Sequence, residues 1–328
     1  MIHIFLFNLI SILSQNRSPT LLSTFIGSMD KRTEAYIFMH ICVVLWGFTA
    51  ILGDLIQLPA YTIVFWRVFI TAISLYTVLL WQKKLHWPKP KLLLIYAGIG
   101  IIVALHWLTF YGAVKLSNAS VTLVCFATTS FFTSLIEPII VRSKFSFLDM
   151  AIGLIIIPAM IFIVNDLSSE YYTGIIVGII SAILATIFSS LNKKYVDNAD
   201  PVMISFIEIA AAAVFLGIGF PLVYTMLDVT TYIPAQQSDS IYILILALAC
   251  TTLPFILSMK ALKELSAFAS NLVVNLEPVY GIILAIFILN EHKELNPSFY
   301  IGTLIITVSV FSYPFIKNKW NPTDGTNG

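Results

Sequence analysis

Ten stretches of the chain are almost continuously apolar: 35–53, 59–82, 92–112, 118–140, 147–165, 172–191, 202–225, 240–259, 267–289 and 298–316. Each is close to the roughly 20 residues a helix needs to cross the hydrocarbon core of a bilayer. The polar breaks between them carry helix-start signals. Pro59 opens the second stretch, Trp87-Pro88-Lys89-Pro90 precedes the third, Asp200-Pro201 opens the seventh and Asn296-Pro297 precedes the tenth. Proline is tolerated in a first helical turn because its missing N–H has no intrahelical partner there. Apart from 226–239 the connections are short, which leaves no room for a sizeable soluble domain.

Residues 1–28 fall outside this pattern. Ile2–Leu13 is apolar but too short to span, and it has neither the leading charge nor the A-x-A-like exit of a signal peptide. Met29-Asp30-Lys31-Arg32 reads as a natural start just before the first stretch. The expectation is that 1–28 is a non-native or disordered lead; an extra interfacial segment is the competing reading.

Composition agrees with the pattern. Hydrophobic residues make up 59% of the 328 residues and charged residues 11%, where a soluble domain carries about 25% charged. Such a chain cannot cover a water-facing surface, so the class is polytopic membrane protein. With the segment before the first stretch placed in the cytoplasm, ten alternating spans put fourteen of the 18 Lys and Arg in cytoplasmic positions and only Lys115 and Lys293 outside. That asymmetry is what the positive-inside rule requires. It predicts cytoplasmic N and C termini and a cytoplasmic tail over 317–328.

Several function classes drop out. A net charge of +1 gives nucleic acid nothing to bind. Cys42, Cys125 and Cys250 are far apart and inside apolar stretches, so neither a zinc site nor a disulfide framework is indicated. There is no phosphate-binding G-x-x-x-x-G-K-[ST], no H-E-x-x-H and no G-x-S-x-G. No catalytic residue, metal site or cofactor is therefore expected.

The two halves resemble each other. Ala113-Val114-Lys115-Leu116-Ser117 matches Ala261-Leu262-Lys263-Glu264-Leu265-Ser266 with one residue inserted, and from Leu116/Leu265 the register runs at an offset of 149. An offset near 140 brings the first stretch onto the sixth and Arg67 close to Glu208. Each unit holds five spans; five is odd, so the second copy is inverted in the membrane, a signature of transporters with a midplane site between the halves.

Leu45-Trp46-Gly47, Phe65-Trp66-Arg67, Ala113–Ser120, Gly174–Lys194, Leu276-Glu277-Pro278 and Leu289-Asn290-Glu291 stand in the order and spacing of a known family. Over about residues 35–316 the chain resembles a ten-helix member of the drug/metabolite transporter superfamily, of the EamA type. It departs from the family at Thr129-Ser130, where a proline is usual, at Arg142, opposite Glu291 of the second copy, and at Leu184-Ala185-Thr186, where tryptophan is expected. The resemblance implies an all-α integral membrane protein built from two inverted five-helix repeats, 29–166 and 167–316. It also implies a gradient-driven permease of the plasma (inner) membrane, exporting a small metabolite such as an amino acid.

Ionisable groups inside a bilayer are costly and are functional candidates by default. Glu277-Pro278 is the most informative pair. The proline frees a carbonyl and bends the helix beside a carboxylate, which suits a substrate or ion site; a protonatable Glu at that depth could also couple transport to protons. The structural reading pairs Glu277 with Arg67 to hold two helices together. Arg67 could instead neutralise an anionic substrate group, with Glu208 pointing into the same cavity from the opposite half. His106 could relay protons or be a satisfied core histidine. Asn271 and Asn275 share a helix face and could bind substrate or bridge helices. Trp46, Trp66, Trp107, Phe110 and Tyr111 are candidate cavity walls, and Glu137 reads as structural. The expected partners are a small-molecule substrate and the lipid bilayer, with a homodimer compatible. An intramembrane enzyme or an accessory membrane subunit stays open as the alternative.

Overall fold

The computed structural model describes residues 30–164, 169–227, 233–234, 236–277, 279–281, 284 and 297–320. The lead 1–28, Pro278 and the end of the tail lie outside them. The described residues are helical, with no strand among them. The helices run in order as α1 (Lys31–Leu55), α2 (Ala60–Gln82), α3 (Pro90–Leu116), α4 (Ala119–Phe126), α5 (Thr129–Val141), α6 (Phe147–Val164), α7 (Tyr172–Tyr195), α8 (Pro201–Leu227), α9 (Gln237–Ala247), α10 (Leu253–Glu264), α11 (Ala267–Val274) and α12 (Pro297–Trp320).

Seven stretches among the described residues are long and apolar enough to cross a membrane: Lys31–Leu55, Ala60–Gln82, Pro90–Leu116, Ala119–Val141, Ser169–Asn198, Pro201–Val223 and Gln237–Glu264. The outside of the bundle is apolar as well. Leu94, Ile139, Phe147 and Ile218 are each more than 70% exposed, which suits lipid and would drive aggregation in water.

Local sequence accounts for the ends. Pro90, Pro201 and Pro297 open α3, α8 and α12. Lys83 and Arg142 close α2 and α5 in the left-handed conformation, with φ of 55° and 63°. Two of the spans are interrupted. The α4–α5 span breaks at Ala127-Thr128, where the Thr128 hydroxyl donates to the Cys125 carbonyl (2.7 Å) and the Thr129 hydroxyl to the Phe126 carbonyl. Side-chain hydroxyls thus take over carbonyls that the break frees. The α9–α10 span widens into a π turn over Leu248–Thr252. There the Thr251 and Thr252 hydroxyls reach back five residues, to the carbonyls of Leu246 (2.6 Å) and Ala247 (3.0 Å).

The duplication is visible in these interruptions. α4 and α11 each have eight residues, and each is capped by a side chain: Asn118 Oδ1 accepts from Val121 N at 2.8 Å, Ser266 Oγ from Ala269 N at 3.1 Å. Each ends in a two-residue turn, Ala127-Thr128 or Asn275-Leu276. Caps and turns correspond at a spacing of 148, one less than the sequence register of 149. The apolar letters permit either register, and the caps decide it. Thr129-Ser130 then stands opposite Glu277-Pro278.

α3 packs on both α7 and α8, α1 on α10, α5 on α7, α2 on α8 and α6 on α12. Lipid supplies no hydrophobic drive between helices, so close approach at small residues has to hold them. A methyl at Gly100 of α3 would lie 2.1 Å from the Glu208 carbonyl oxygen of α8. Gly100→Ala is therefore expected to push the two helices apart and cost on the order of 1–3 kcal/mol, read as a lower unfolding midpoint in detergent. Gly98→Ala, where nothing lies within 4 Å, should leave the midpoint unchanged or raise it.

Candidate functional site

Helices α1, α2, α3, α4, α7, α10 and α11 enclose a cavity at the centre of the bundle. Its wall includes Trp46 and Thr49, Arg67, His106, Trp107 and Phe110, Phe126, Phe188 and Ser189, Phe255 and Ser258, Ser270 and Asn271, and Glu277. The space open to the centre of a water-sized molecule is about 90 Å³. One water needs about 10–15 Å³ by that measure, so the cavity has room for a solute of several heavy atoms.

Arg67 is held by three contacts and is only 2% exposed. Its Nε donates to Thr251 Oγ1 at 2.7 Å and its Nη1 to the Tyr111 hydroxyl at 2.9 Å. Its guanidinium carbon lies 4.1 Å from the centre of the Trp107 ring. The π turn places Thr251 here: its hydroxyl proton is spent on the Leu246 carbonyl, which leaves the oxygen free to accept from arginine. No carboxylate comes within ion-pair distance of Arg67 among the described residues; Lys84 and Asp200 form an ion pair at the bundle's end, 3.0 Å. Glu277, 3% exposed, shares the cavity with Arg67 but does not pair with it. The expected structural Arg67–Glu277 bridge is therefore not formed. Arg67 and Glu277 line one cavity without pairing with each other.

His106 also lines the cavity, with its Nδ1 turned toward Ser181 of α7. Its Nδ1 contacts the Ser181 hydroxyl at 2.9 Å and the Ser181 carbonyl at 3.0 Å, while its ring stacks 5.4 Å from Phe126. Asn271 Nδ2 donates to the hydroxyls of Thr133 and Ser189, each at 2.8 Å, tying α11 to α5 and α7. Ser270 Oγ is buried with no hydrogen-bond partner among the described residues.

Other candidates fall elsewhere. Glu208 is fully buried, but it is not among the cavity residues; it sits between α8, α7 and α3, accepting from Asn192 Nδ2 at 3.2 Å. The expected convergence of Arg67 and Glu208 fails because α8 turns that face toward Gly100 of α3. Trp66, next to Arg67, faces away from the cavity and packs edge-on to Phe65 and Phe69. Tyr111 serves the site indirectly, as a partner of Arg67. Asn275 is likewise off the wall. With its oxygen accepting from the Ser130 hydroxyl at 2.8 Å, its nitrogen donates to the carbonyls of Ala127 (3.1 Å) and Asn271 (3.3 Å). It thereby ties the two helix breaks together. Pro278, the expected kink, lies outside the described residues.

Three residues important to the site had not been singled out: Thr251, Ser189 and Ser270. The Thr251-Thr252-Leu253-Pro254 run was the available signal for the first, since paired hydroxyls ahead of a proline mark a distorted turn. A single serine in an apolar helix carries no such mark.

A solved crystal structure, described only as that of a protein, superposes with a TM-score of 0.67 over 88% of this chain and 99% of its own, at 13% identity. Agreement at that identity concerns the fold alone. No curated protein matches the chain. The sequence profile of the EamA-like transporter family matches twice in succession, over residues 33–165 and 172–313. With seven apolar spans and a duplicated architecture on the same residues, this chain belongs to the EamA-like transporter family, as a multi-pass membrane protein.

Proposed function

We propose that the protein is a gradient-driven secondary transporter that exports a small zwitterionic metabolite, such as an amino acid, by alternating access. The observation that carries this is the placement of Arg67 and Glu277, unpaired with each other, in one buried cavity. A buried charge is retained at a cost of several kcal/mol unless something compensates it. A zwitterion compensates both at once: its carboxylate meets the guanidinium, its ammonium the glutamate. Asn271, Ser270 and Thr49 add polar contacts, and the aromatic walls accept an apolar side chain.

The wider architecture suits the same reading. Ten membrane helices in two oppositely oriented repeats, 29–166 and 167–316, would place this site at the midplane between them. The Lys and Arg asymmetry favours cytoplasmic termini in a plasma (inner) membrane. No metal or organic cofactor enters the mechanism; the energy would come from an ion gradient, with protons as the first choice. Catalysis in the membrane would need paired reacting groups, and the Nδ1 of His106 is already engaged by Ser181.

The test is counterflow of a labelled panel of amino acids, amines and carboxylates in proteoliposomes. Amino acids should exchange, and Glu277→Gln should slow them roughly tenfold or more, the weight of one charge-assisted contact of about 1.5–3 kcal/mol, at normal protein level. Exchange that is indifferent to Glu277→Gln, or confined to solutes lacking an ammonium group, would sink the assignment.

A further inference from the structure

Glu208 and Asn192 form a buried pair outside the cavity, 0% and 1% exposed. Asn192 Nδ2 donates to Glu208 Oε2 at 3.2 Å. The other two oxygens of the pair, Glu208 Oε1 and Asn192 Oδ1, are buried and have no partner among the described residues. A carboxylate facing a primary amide can form only one of these contacts, because its second oxygen and the amide oxygen are both acceptors. A carboxylic acid closes both. A proton on Oε1 would be donated to Oδ1 while the amide N–H is donated to Oε2, and both orphaned oxygens would then have a partner.

The surroundings offer no other solution. α8 packs against α2, α3 and α10. Of the titratable groups on those helices and on α7, only Tyr96 of α3 comes within electrostatic reach of Glu208, and its hydroxyl is donated to the Tyr195 carbonyl at 2.9 Å. Arg67 of α2 is held by Thr251 and Tyr111, and Lys84 pairs with Asp200. Ser190, also unpartnered, is two residues from Asn192 and so about 200° around the helix. Two oxygen atoms are far short of the six or more that a hard metal cation takes. The ligand that fits is a proton.

We propose that the Glu208–Asn192 pair is a proton-binding site, separate from the substrate cavity, that holds one proton in this conformation and releases it when the two side chains separate. The link to the cavity is one helical turn long. Ser189, three residues before Asn192 on α7, accepts from Asn271 on the cavity wall. Proton occupancy at Glu208 therefore biases the position of the wall helix, the coupling a gradient-driven carrier requires. Only this coupling step rests on the transporter reading; the proton site does not.

Infrared spectroscopy of the full chain in lipid at neutral pH tests the site without any substrate. The spectrum should contain a buried carboxylic-acid C=O component that is lost in Glu208→Gln and kept in Glu277→Gln. Asn192→Leu should move it to higher frequency as the acid loses its acceptor. Glu208→Gln should keep the wild-type unfolding midpoint, since a glutamine amide reproduces both contacts. A spectrum with no such component, one unchanged in Glu208→Gln, or one unmoved by Asn192→Leu overturns the proton site. In proteoliposomes Glu208→Gln should retain amino-acid counterflow and lose accumulation driven by a pH gradient; accumulation that persists overturns the coupling. An intact infrared signature with no transport by the wild type would instead count against the transporter reading alone.

Discussion

Arg67→Lys should reduce amino-acid counterflow by one to two orders of magnitude while the protein still inserts and folds. The charge is preserved, so the loss isolates geometry. The guanidinium stacks on Trp107, gives Nε to Thr251 and Nη1 to Tyr111, and leaves Nη2 without a partner among the described residues. One planar group thus anchors itself twice and still presents an N–H to a ligand. A lysine ammonium has three donors but no fork. If it reaches Thr251 or Tyr111 it no longer presents the same face to a carboxylate; if it reaches the carboxylate, the buried hydroxyls of its former partners go unmet. Losing one charge-assisted hydrogen bond to substrate is worth about 1.5–3 kcal/mol, or roughly 10–150-fold in affinity. Arg67→Ala should be more severe, because Glu277 then leaves the cavity net negative and repels the substrate carboxylate. The check is counterflow normalised to inserted protein, with an amine lacking a carboxyl group as control. Equal losses for the amine, or no loss for the amino acid, would remove Arg67 from carboxylate recognition.

How far the sequence reaches is clear from particular residues. The apolar stretches end where prolines and basic residues mark them, so the helices are legible: Pro90 and Pro201 do open α3 and α8. Arg67, Glu277, Trp46 and His106 were legible as cavity residues because intramembrane charge and aromatic motifs are rare enough to stand out. Direction around a helix was not legible. α8 is apolar on all sides, with no polar stripe to say that Glu208 faces Gly100 and Asn192 rather than the cavity. The breaks were not marked by residue type. The expected kink residue, Pro278, lies outside the described residues; the breaks at Asn275-Leu276 and Ala127-Thr128 have neither proline nor glycine, and hydroxyls that satisfy their own backbone look like any other threonines. The one-residue slip in the repeat has the same origin. Leu and Val repeat without regard to register, whereas Asn118 and Ser266, as caps, occur at one position only.

Glu137→Ala should destabilise the fold by about 3 kcal/mol or more, the largest stability effect expected of any single side chain outside the cavity. α11 starts inside the protein, and the first N–H groups of a helix have no partners of their own. Ser266 Oγ takes Ala269 N, while the two carboxylate oxygens of Glu137 take Ala267 N at 2.8 Å and Phe268 N at 2.7 Å. Each of those is a charge-assisted bond worth about 1.5–3 kcal/mol, and the helix dipole adds to them. Across the same corner Lys193 Nζ donates to the carbonyls of Leu262 (2.7 Å) and Lys263 (3.4 Å) at the end of α10. An anion therefore sits at the start of one helix and a cation at the end of the one before it. The lysine is the weaker clamp, because carbonyls at a helix end can find other donors, whereas two buried N–H groups facing alanine find nothing. The order of unfolding midpoints in detergent should be wild type above Ser266→Ala, which loses about 1 kcal/mol, and Glu137→Ala well below both. Glu137→Gln should fall between, since its amide keeps one acceptor but turns an NH₂ toward the second N–H. α11 carries Ser270 and Asn271, so the same variants should lower counterflow in proportion to the lost cap. A Glu137→Ala midpoint no lower than that of Ser266→Ala would mean that the α10–α11 corner is held by packing instead of by charge.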